Sequence, residues 1–315
     1  MRDFLAITGP TTSGKTQLSI TVAEALDGEI ICMDSRQVYR GMDIGTDKVS
    51  AEHRKCVPHH GLDLRDPDES YSAGQFGRDA RRRIQEISGR GRVPLLVGGT
   101  GLFLRSLTDP IFKQPDIDAA RLEALRNFMG RQTTTELARW VGALDSGRAE
   151  LAREGGPQRL GRTIEVALLT GRALSWWHGQ GEPDQPPLGG LIVVLDRDRE
   201  ELDRRIDARV TRMAAEGLVD EVKGLLERGY GPDDPGMSGT GYREVAAYLG
   251  GDMTLEEALE RMRSQTRQYA RRQLTWFRHQ LPEDAMHIDT SQPLDTQVAR
   301  VVAAWRSMDG SHREG

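Results

Sequence analysis

Two cysteines in 315 residues, Cys32 and Cys56, make no disulfide framework and have no metal-binding spacing. They read as reduced thiols, which fits a cytoplasmic protein. No apolar run approaches the length that crosses a bilayer, so no membrane helix is expected. Met1 is followed by a charged pair and then at once by an apolar run, which leaves no room for a signal peptide. Positive charge is also in deficit. The net charge of −5 points to no polyanionic partner, and any nucleic-acid site has to be a local basic patch. His59 and His60 are adjacent, so their rings diverge on any regular backbone and make a poor metal pair. With 37% hydrophobic and 29% charged residues the chain is an ordinary globular one, long enough for one large or two modest domains. No internal repeat or heptad is visible, and a monomer is expected.

What is present begins with GPTTSGKT, residues 9–16, which fits G-x-x-x-x-G-K-[ST]. FLAIT before it reads as a short buried strand, and QLSITVAEAL after it has a helical period, so the context is strand, loop, helix. Backbone N–H groups of Gly9, Pro10 excepted, through Thr11, Thr12, Ser13 and Gly14 converge with the open end of the helix on one spot that favours an anion. Lys15 adds a full positive charge, and the Thr16 hydroxyl is placed to ligate Mg2+. The loop predicts phosphate binding without saying which phosphate compound is held.

Further strand-like runs are EIICMD (29–34), VPLLVGG (93–99) and, much later, GLIVVLD (190–196), with helical segments between them. That alternation predicts an α/β fold, a P-loop NTPase-like parallel sheet core. Residues 114–187 carry helical periods and no strand, and close in a Pro/Gly-rich linker, GQGEPDQPPLGG. They are expected to form a helical insertion domain, dividing the core into 1–113 and 188–308, with 309–315 a disordered tail.

Asp34 ends the second strand, on the side where ligands of parallel sheets sit. It can serve as a general base, as a magnesium ligand, or merely as a cap on its own turn; Ser35, Arg36 and Gln37 line the same mouth. The third strand ends in Gly98, Gly99 and Thr100 instead of the acid an ATPase usually carries there, which weighs against nucleotide hydrolysis. Glycines at that point admit close approach of a backbone or a flat ligand, or simply make a tight turn. Arg205, Arg209 and Arg212 share one helical face, and spacing alone does not separate a ligand-binding arginine from solvated ones. Residues 261–280, RMRSQTRQYARRQLTWFRHQ, hold arginines and aromatics but no acid. This is a footprint for nucleic acid, or else a core helix with arginines paired to acids elsewhere; Trp276 suits the core in either case.

Taken together, GPTTSGKT, DSRQVYRGMDIGTDK, PHHGLDLRDPDESYSAGQF, PLLVGGTGLFL, QRLGRTIEVALLTG, RVTRMAAEGLVDEV, GTGYREVAAYLGG and TRQYARRQLTWFRHQ resemble the tRNA dimethylallyltransferase (isopentenyl-transferring) family of bacterial type. The resemblance implies a P-loop core with a helical insertion. It further implies transfer of a dimethylallyl group from dimethylallyl diphosphate, with Mg2+, to N6 of the adenosine 3′ of the anticodon, the partner being the tRNA anticodon stem-loop. It makes Asp34 the catalytic base and Thr11, Lys15 and Arg209 diphosphate contacts within the loop 9–16, with Mg2+ near Thr16. It places tRNA contacts at Asp34, Ser35, Arg36, Gln37, Thr100 and Arg121. It places more at Gln158, Arg159, Leu160, Gly161 and Arg162, at Gly239, Thr240, Gly241, Tyr242, Arg243 and Glu244, and at Arg271, Arg272, Gln273 and Arg278. The chain departs from the family pattern at Phe103 (usually Tyr), Thr240 (commonly Ile) and Arg271 (usually Lys). It also lacks the zinc-finger extension of eukaryotic relatives. A P-loop small-molecule kinase, a free-adenylate prenyltransferase and a nucleotide-gated RNA-binding module are the competing readings.

Overall fold

A computed structural model describes residues 2–109, 117–180 and 185–310. Six parallel strands, β1 (Phe4–Thr8), β2 (Gly28–Cys32), β3 (His59–His60), β4 (Val93–Gly98), β5 (Gly190–Asp196) and β6 (Met286–Asp289), form one sheet in the order β3-β2-β4-β1-β5-β6. β1 lies fully buried between β4 and β5. Its continuous apolar run has no polar face because both sides of a parallel sheet are covered. The expected strands are all present. β3 and β6 are additional.

The helices between them are α1 (Lys15–Leu26), α2 (Ala51–Cys56), α3 (Ala73–Gly89) and α4 (Gly101–Thr108), then α5 (Ala119–Met129), α6 (Thr134–Leu144), α7 (Ala149–Glu154), α8 (Gly156–Thr170) and α9 (Leu174–Gln180). After β5 come α10 (Arg199–Ala215), α11 (Leu218–Glu227), α12 (Tyr242–Leu249), α13 (Leu255–Gln280) and α14 (Leu294–Gly310). The chain divides into two compact units, one of residues Met1–Asp109 with Pro187–Gly315 and one of Pro110–Pro186. The expected core–insertion boundary at 113/114 and part of the linker lie outside the described residues; α14 runs to Gly310, and 311–315 also lie outside them. Among the described residues no helix is long and apolar enough to cross a membrane.

In the first unit, one core cluster joins Leu5, Ile7, Leu95 and Val193 of the sheet to Leu18 of α1 and to Val301 and Trp305 of α14. A second gathers Val38, Tyr39 and Met42 of the loop after β2 with Val210, Val222, Val245 and Met262 of α10 to α13. That second cluster brings the loop after Asp34 onto the helices that carry the arginines. Phe103 is buried against α3, stacked on Phe76 at 4.3 Å and edge-on to Tyr71. The second unit is helical, with its own core of Met129, Leu137, Val141, Leu160 and Ile164.

Candidate active site

The loop between β1 and α1 carries three residues in left-handed backbone, Gly9 (φ 151°), Thr12 (φ 63°) and Gly14 (φ 104°). A Cβ at Gly9 would sit 3.0 Å from the Leu195 carbonyl oxygen, so this glycine is required sterically as well. Lys15 Nζ arches back to donate to the carbonyls of Gly9 (3.0 Å) and Pro10 (2.7 Å). From behind, Arg197 donates to Ser13 O at 3.3 Å and to Thr290 O at 3.1 Å, clamping the loop to the strand end. The Thr12 and Ser13 hydroxyls are buried with no hydrogen-bond partner. An orphaned buried hydroxyl costs on the order of 1–3 kcal/mol; an anion in the cavity, which Thr12 lines and Ser13 does not, would satisfy the first of them.

Lys15 is pushed down to about 8 chiefly by desolvation; Asp34 opposes that shift, Arg209 adds to it, and Asp47 opposes it. Its surface is mostly covered, and protein packs closely around the ammonium. Lys15 therefore loses its charge as pH rises through about 8, well below an ordinary lysine. Calorimetry with inorganic diphosphate should find affinity falling between pH 7 and pH 9 in wild type, with proton uptake on binding. Lys15→Arg, which stays charged, should lack that alkaline loss. A wild-type affinity flat across this range contradicts the assignment.

Asp34 follows β2. Its Oδ1 accepts from the backbone N–H of Arg36 at 2.8 Å, so the turn-capping reading holds for one oxygen. Among the described residues Oδ2 has no hydrogen-bond partner, and the carboxylate lines the cavity. Its neighbours turn inward to hold other loops: Arg36 donates to Pro235 O (2.7 Å) and Ser238 Oγ (3.3 Å), and Gln37 to the carbonyls of Thr46 (3.1 Å) and Asp47 (3.2 Å). Thr100 Oγ1 accepts from Ser35 N at 3.2 Å. The close approach admitted by the glycines after β4 is made by protein. A Cβ would stand 2.0 Å from Met33 O at Gly98, 2.2 Å from Gln273 Nε2 at Gly99, and 2.4 Å from the Trp276 ring at Gly101.

The three arginines of α10 separate here. Arg209 Nη1 donates to Thr11 Oγ1 of the P-loop at 2.7 Å, while Arg205 is held by Glu201 at 2.7 Å on its own helix. Arg212 reaches Asp47 Oδ1 at 2.6 Å, and Arg209 Nε lies 3.6 Å from Asp47 Oδ2. On α13, buried Gln273 uses both ends of its amide: Oε1 accepts from Thr11 N (2.9 Å) and Nε2 donates to Gly99 O (2.8 Å). It couples the P-loop to the turn after β4. Tyr269 is pushed up to about 12 by desolvation and by Asp34, although 37% of its surface remains open. The Arg272 guanidinium stands 5.9 Å from the centre of its ring.

These side chains enclose a cavity of about 830 Å³. Thr11, Lys15, Thr16, Asp34, Arg209, Gly239, Thr240, Tyr269, Arg272 and Gln273 all line it. Several residues expected to touch tRNA are instead interior. Leu160 is in the core of the second unit. Tyr242 is buried with its hydroxyl donating to Glu221 at 2.6 Å, although its edge reaches the cavity wall. Buried Glu244 accepts from Gly241 N at 2.7 Å, closing the start of α12, and its other oxygen stands 3.4 Å from Arg243. In the second unit Arg121, Gln158 and Arg159 are exposed, and Arg162 lies 3.5 Å from Glu165. His60 pairs through Nε2 with Glu29 at 2.6 Å, and His59 bonds Val57 O through Nδ1 at 2.7 Å.

The arginines of α13 divide between the two readings. Arg263, Arg267 and Arg271 pair with acids, Arg267 with Asp207 and Arg271 with Asp203 at 3.9 Å. Arg272 and Arg278 have no acidic partner within 4.0 Å among the described residues. Arg272→Ala should therefore weaken tRNA binding and lower the slope of log affinity against log salt by about 1. A slope equal to that of wild type removes Arg272 from the phosphate contacts.

Asp47, Arg197 and Glu221 were not legible as site residues. Glu221 accepts from the backbone N–H groups of Asp43 and Ile44 (2.8 Å each) and Gly45 (3.1 Å), holding the 43–47 loop in place. The only available signal was the position of Arg197 directly after GLIVVLD, at a parallel strand's carboxyl end.

A parallel sheet whose central strand feeds a P-loop, with an acid and an arginine facing that loop, defines a P-loop NTPase-like α/β protein. The sequence pattern described as IPP transferase matches residues 37–280, and the chain belongs to that family. The chain is 42% identical over 293 residues to a tRNA dimethylallyltransferase of Thermomicrobium roseum, covering 93% of this chain and 88% of that one. It is 43% identical over 275 residues to one of Geobacter sulfurreducens, covering 87% and 88%. Among solved structures it is similar to a full-length tRNA isopentenylpyrophosphate transferase of Bacillus halodurans (36% identity, TM-score 0.72, covering 98% and 96%). It is also similar to a eukaryotic dimethylallyltransferase acting on tRNA (27% identity, TM-score 0.82, covering 98% and 80%).

Proposed function

We infer that this protein is a tRNA prenyltransferase that moves a dimethylallyl group from dimethylallyl diphosphate to N6 of the adenosine 3′ of the anticodon, releasing diphosphate. The observation that carries this reading is the meeting of Lys15, Arg209 and Asp34 around one cavity at the mouth of the P-loop. The family and its relatives favour it over a small-molecule kinase, and the absence of an acid after β4 agrees.

Adenine's exocyclic amine is a weak nucleophile because its lone pair is delocalised into the ring. The reaction needs a reactive carbon, a held geometry and a proton acceptor. As the bond from allylic C1 to oxygen breaks and the C1–N6 bond forms, negative charge grows on the departing diphosphate. Lys15 and Arg209 line the cavity in which it would grow, and turned toward that charge they would stabilise the transition state more than the ground state. Asp34 Oδ2 accepts the N6 proton. The capping bond from Arg36 to Oδ1 fixes the carboxylate while leaving that second oxygen to work.

A divalent ion fits this site only together with the diphosphate. Among the described residues no group of three or more His, Cys, Asp or Glu side chains could hold one. The Thr16 hydroxyl at the cavity is a hard oxygen donor, and Mg2+ commonly takes one or two protein oxygens plus substrate phosphate. When bound, it would neutralise charge on the leaving diphosphate.

The adenosine must leave its stack to reach Asp34, at a cost on the order of a few kcal/mol. Contacts from Arg272 and Arg278, and from the exposed Arg121, Gln158 and Arg159, serve to offset it. Tyr269 is the cavity's one aromatic ring with an open face among the described residues, and it offers the displaced base a surface beside Asp34. The protein is expected to work as a cytoplasmic monomer. The reading is tested by label transfer from the prenyl donor to tRNA, set out at the end of the Discussion.

A further inference from the structure

We propose that Asp47 sets how tightly the site holds diphosphate, by competing with that anion for the guanidinium groups of α10; this rests on reading the P-loop as a diphosphate site. Asp47 lines the same cavity as the P-loop. Its Oδ1 accepts from Arg212 at 2.6 Å, and its Oδ2 lies 3.6 Å from Nε of Arg209. The same Arg209 guanidinium reaches the P-loop through Thr11 at 2.7 Å. One carboxylate is thus shared between two cations, one of which spans to the loop that receives the substrate's phosphates.

The carboxylate is held where it stands. Asp47 has φ 53°, a left-handed conformation that non-glycine residues seldom adopt. Its N–H donates to Ile44 O at 3.0 Å and its carbonyl accepts from Gln37 at 3.2 Å. Next to it, Lys48 is buried, with Nζ donating to Tyr39 O (2.8 Å), Asp43 (2.5 Å) and Asp63 (2.7 Å). An incoming diphosphate therefore meets a fixed like charge and must draw Arg209 away from it. Asp47 acts on the product more strongly than on the donor, because free diphosphate has one more ionisable oxygen than its prenyl ester. A like charge at this point weakens binding overall and favours release of the product.

The test is calorimetry of inorganic diphosphate with the full chain and with Asp47→Asn and Asp47→Gly. Asparagine keeps the shape and tolerates the left-handed backbone, and glycine removes the strain, so a shared effect belongs to the charge. Both variants should bind diphosphate about tenfold tighter at low salt, with the gain shrinking as salt rises. In turnover assays, added diphosphate should inhibit both variants at lower concentration than wild type. Affinity in the variants equal to or weaker than wild type overturns the proposal and makes Asp47 a positioning residue for Arg209. Wild type that binds no inorganic diphosphate overturns the diphosphate reading of the P-loop as well, whereas binding without the expected gain leaves that reading standing.

Discussion

Asp34→Asn and Asp34→Ala should each cut prenyl transfer to tRNA at least about a hundredfold, while tRNA affinity stays near that of wild type. A positioned general base contributes roughly a hundred- to ten-thousand-fold. The two variants separate the roles that the sequence left open. Asparagine retains an oxygen to accept from Arg36 N, so the turn remains capped; alanine loses both the cap and the base. Equal losses in the two assign the effect to the proton-accepting oxygen. If asparagine turns over like wild type and only alanine fails, Asp34 is a turn cap and the base lies elsewhere.

Arg209→Ala should lower kcat/KM by about a hundredfold, whereas Arg205→Ala should change it by no more than about twofold. The contrast follows from geometry. Arg209 is largely covered and spans from α10 to Thr11 of the P-loop, where charge develops on the leaving group. Arg205 is nearly half exposed and bound to Glu201 one turn away, and such surface pairs contribute about 0–1 kcal/mol. Steady-state kinetics on the two variants checks it. Equal effects would return the three arginines of that face to the ambiguity of their spacing.

The parts of the fold that were legible are those dictated by local chemistry. FLAIT and GLIVVLD are observed as strands over the expected residues, because a strand buried on both faces leaves a continuous apolar run. β3 and β6 left no such trace. β3 is two histidines paired with β2, and β6, MHID, exists because its backbone pairs with β5 at the edge of the sheet. Tertiary pairing made both strands.

The candidate site divides in the same way. The P-loop and Asp34 announce themselves by motif and by position at strand ends. Gln273 does not. Its amide joins Thr11 to Gly99, residues 262 and 174 positions away in the chain, and nothing in TRQYARRQ reveals that pairing. The resemblance marked Gln273 as an RNA contact, yet its amide is occupied inside the protein. Asp47 was hidden for a different reason: it is one of two acids in DIGTDK, and only the packing of that loop onto α10 selects it.

The most direct test of the whole account offers the purified protein magnesium and labelled dimethylallyl diphosphate, with unmodified tRNA in one tube and free AMP in another. The account predicts label in tRNA alone, on the adenosine 3′ of the anticodon. Label in AMP would make the protein a free-adenylate prenyltransferase. No label in either tube, with ATP turned over in a third, would contradict the prenyl-diphosphate reading of the P-loop and leave the open arginines of α13 without a purpose.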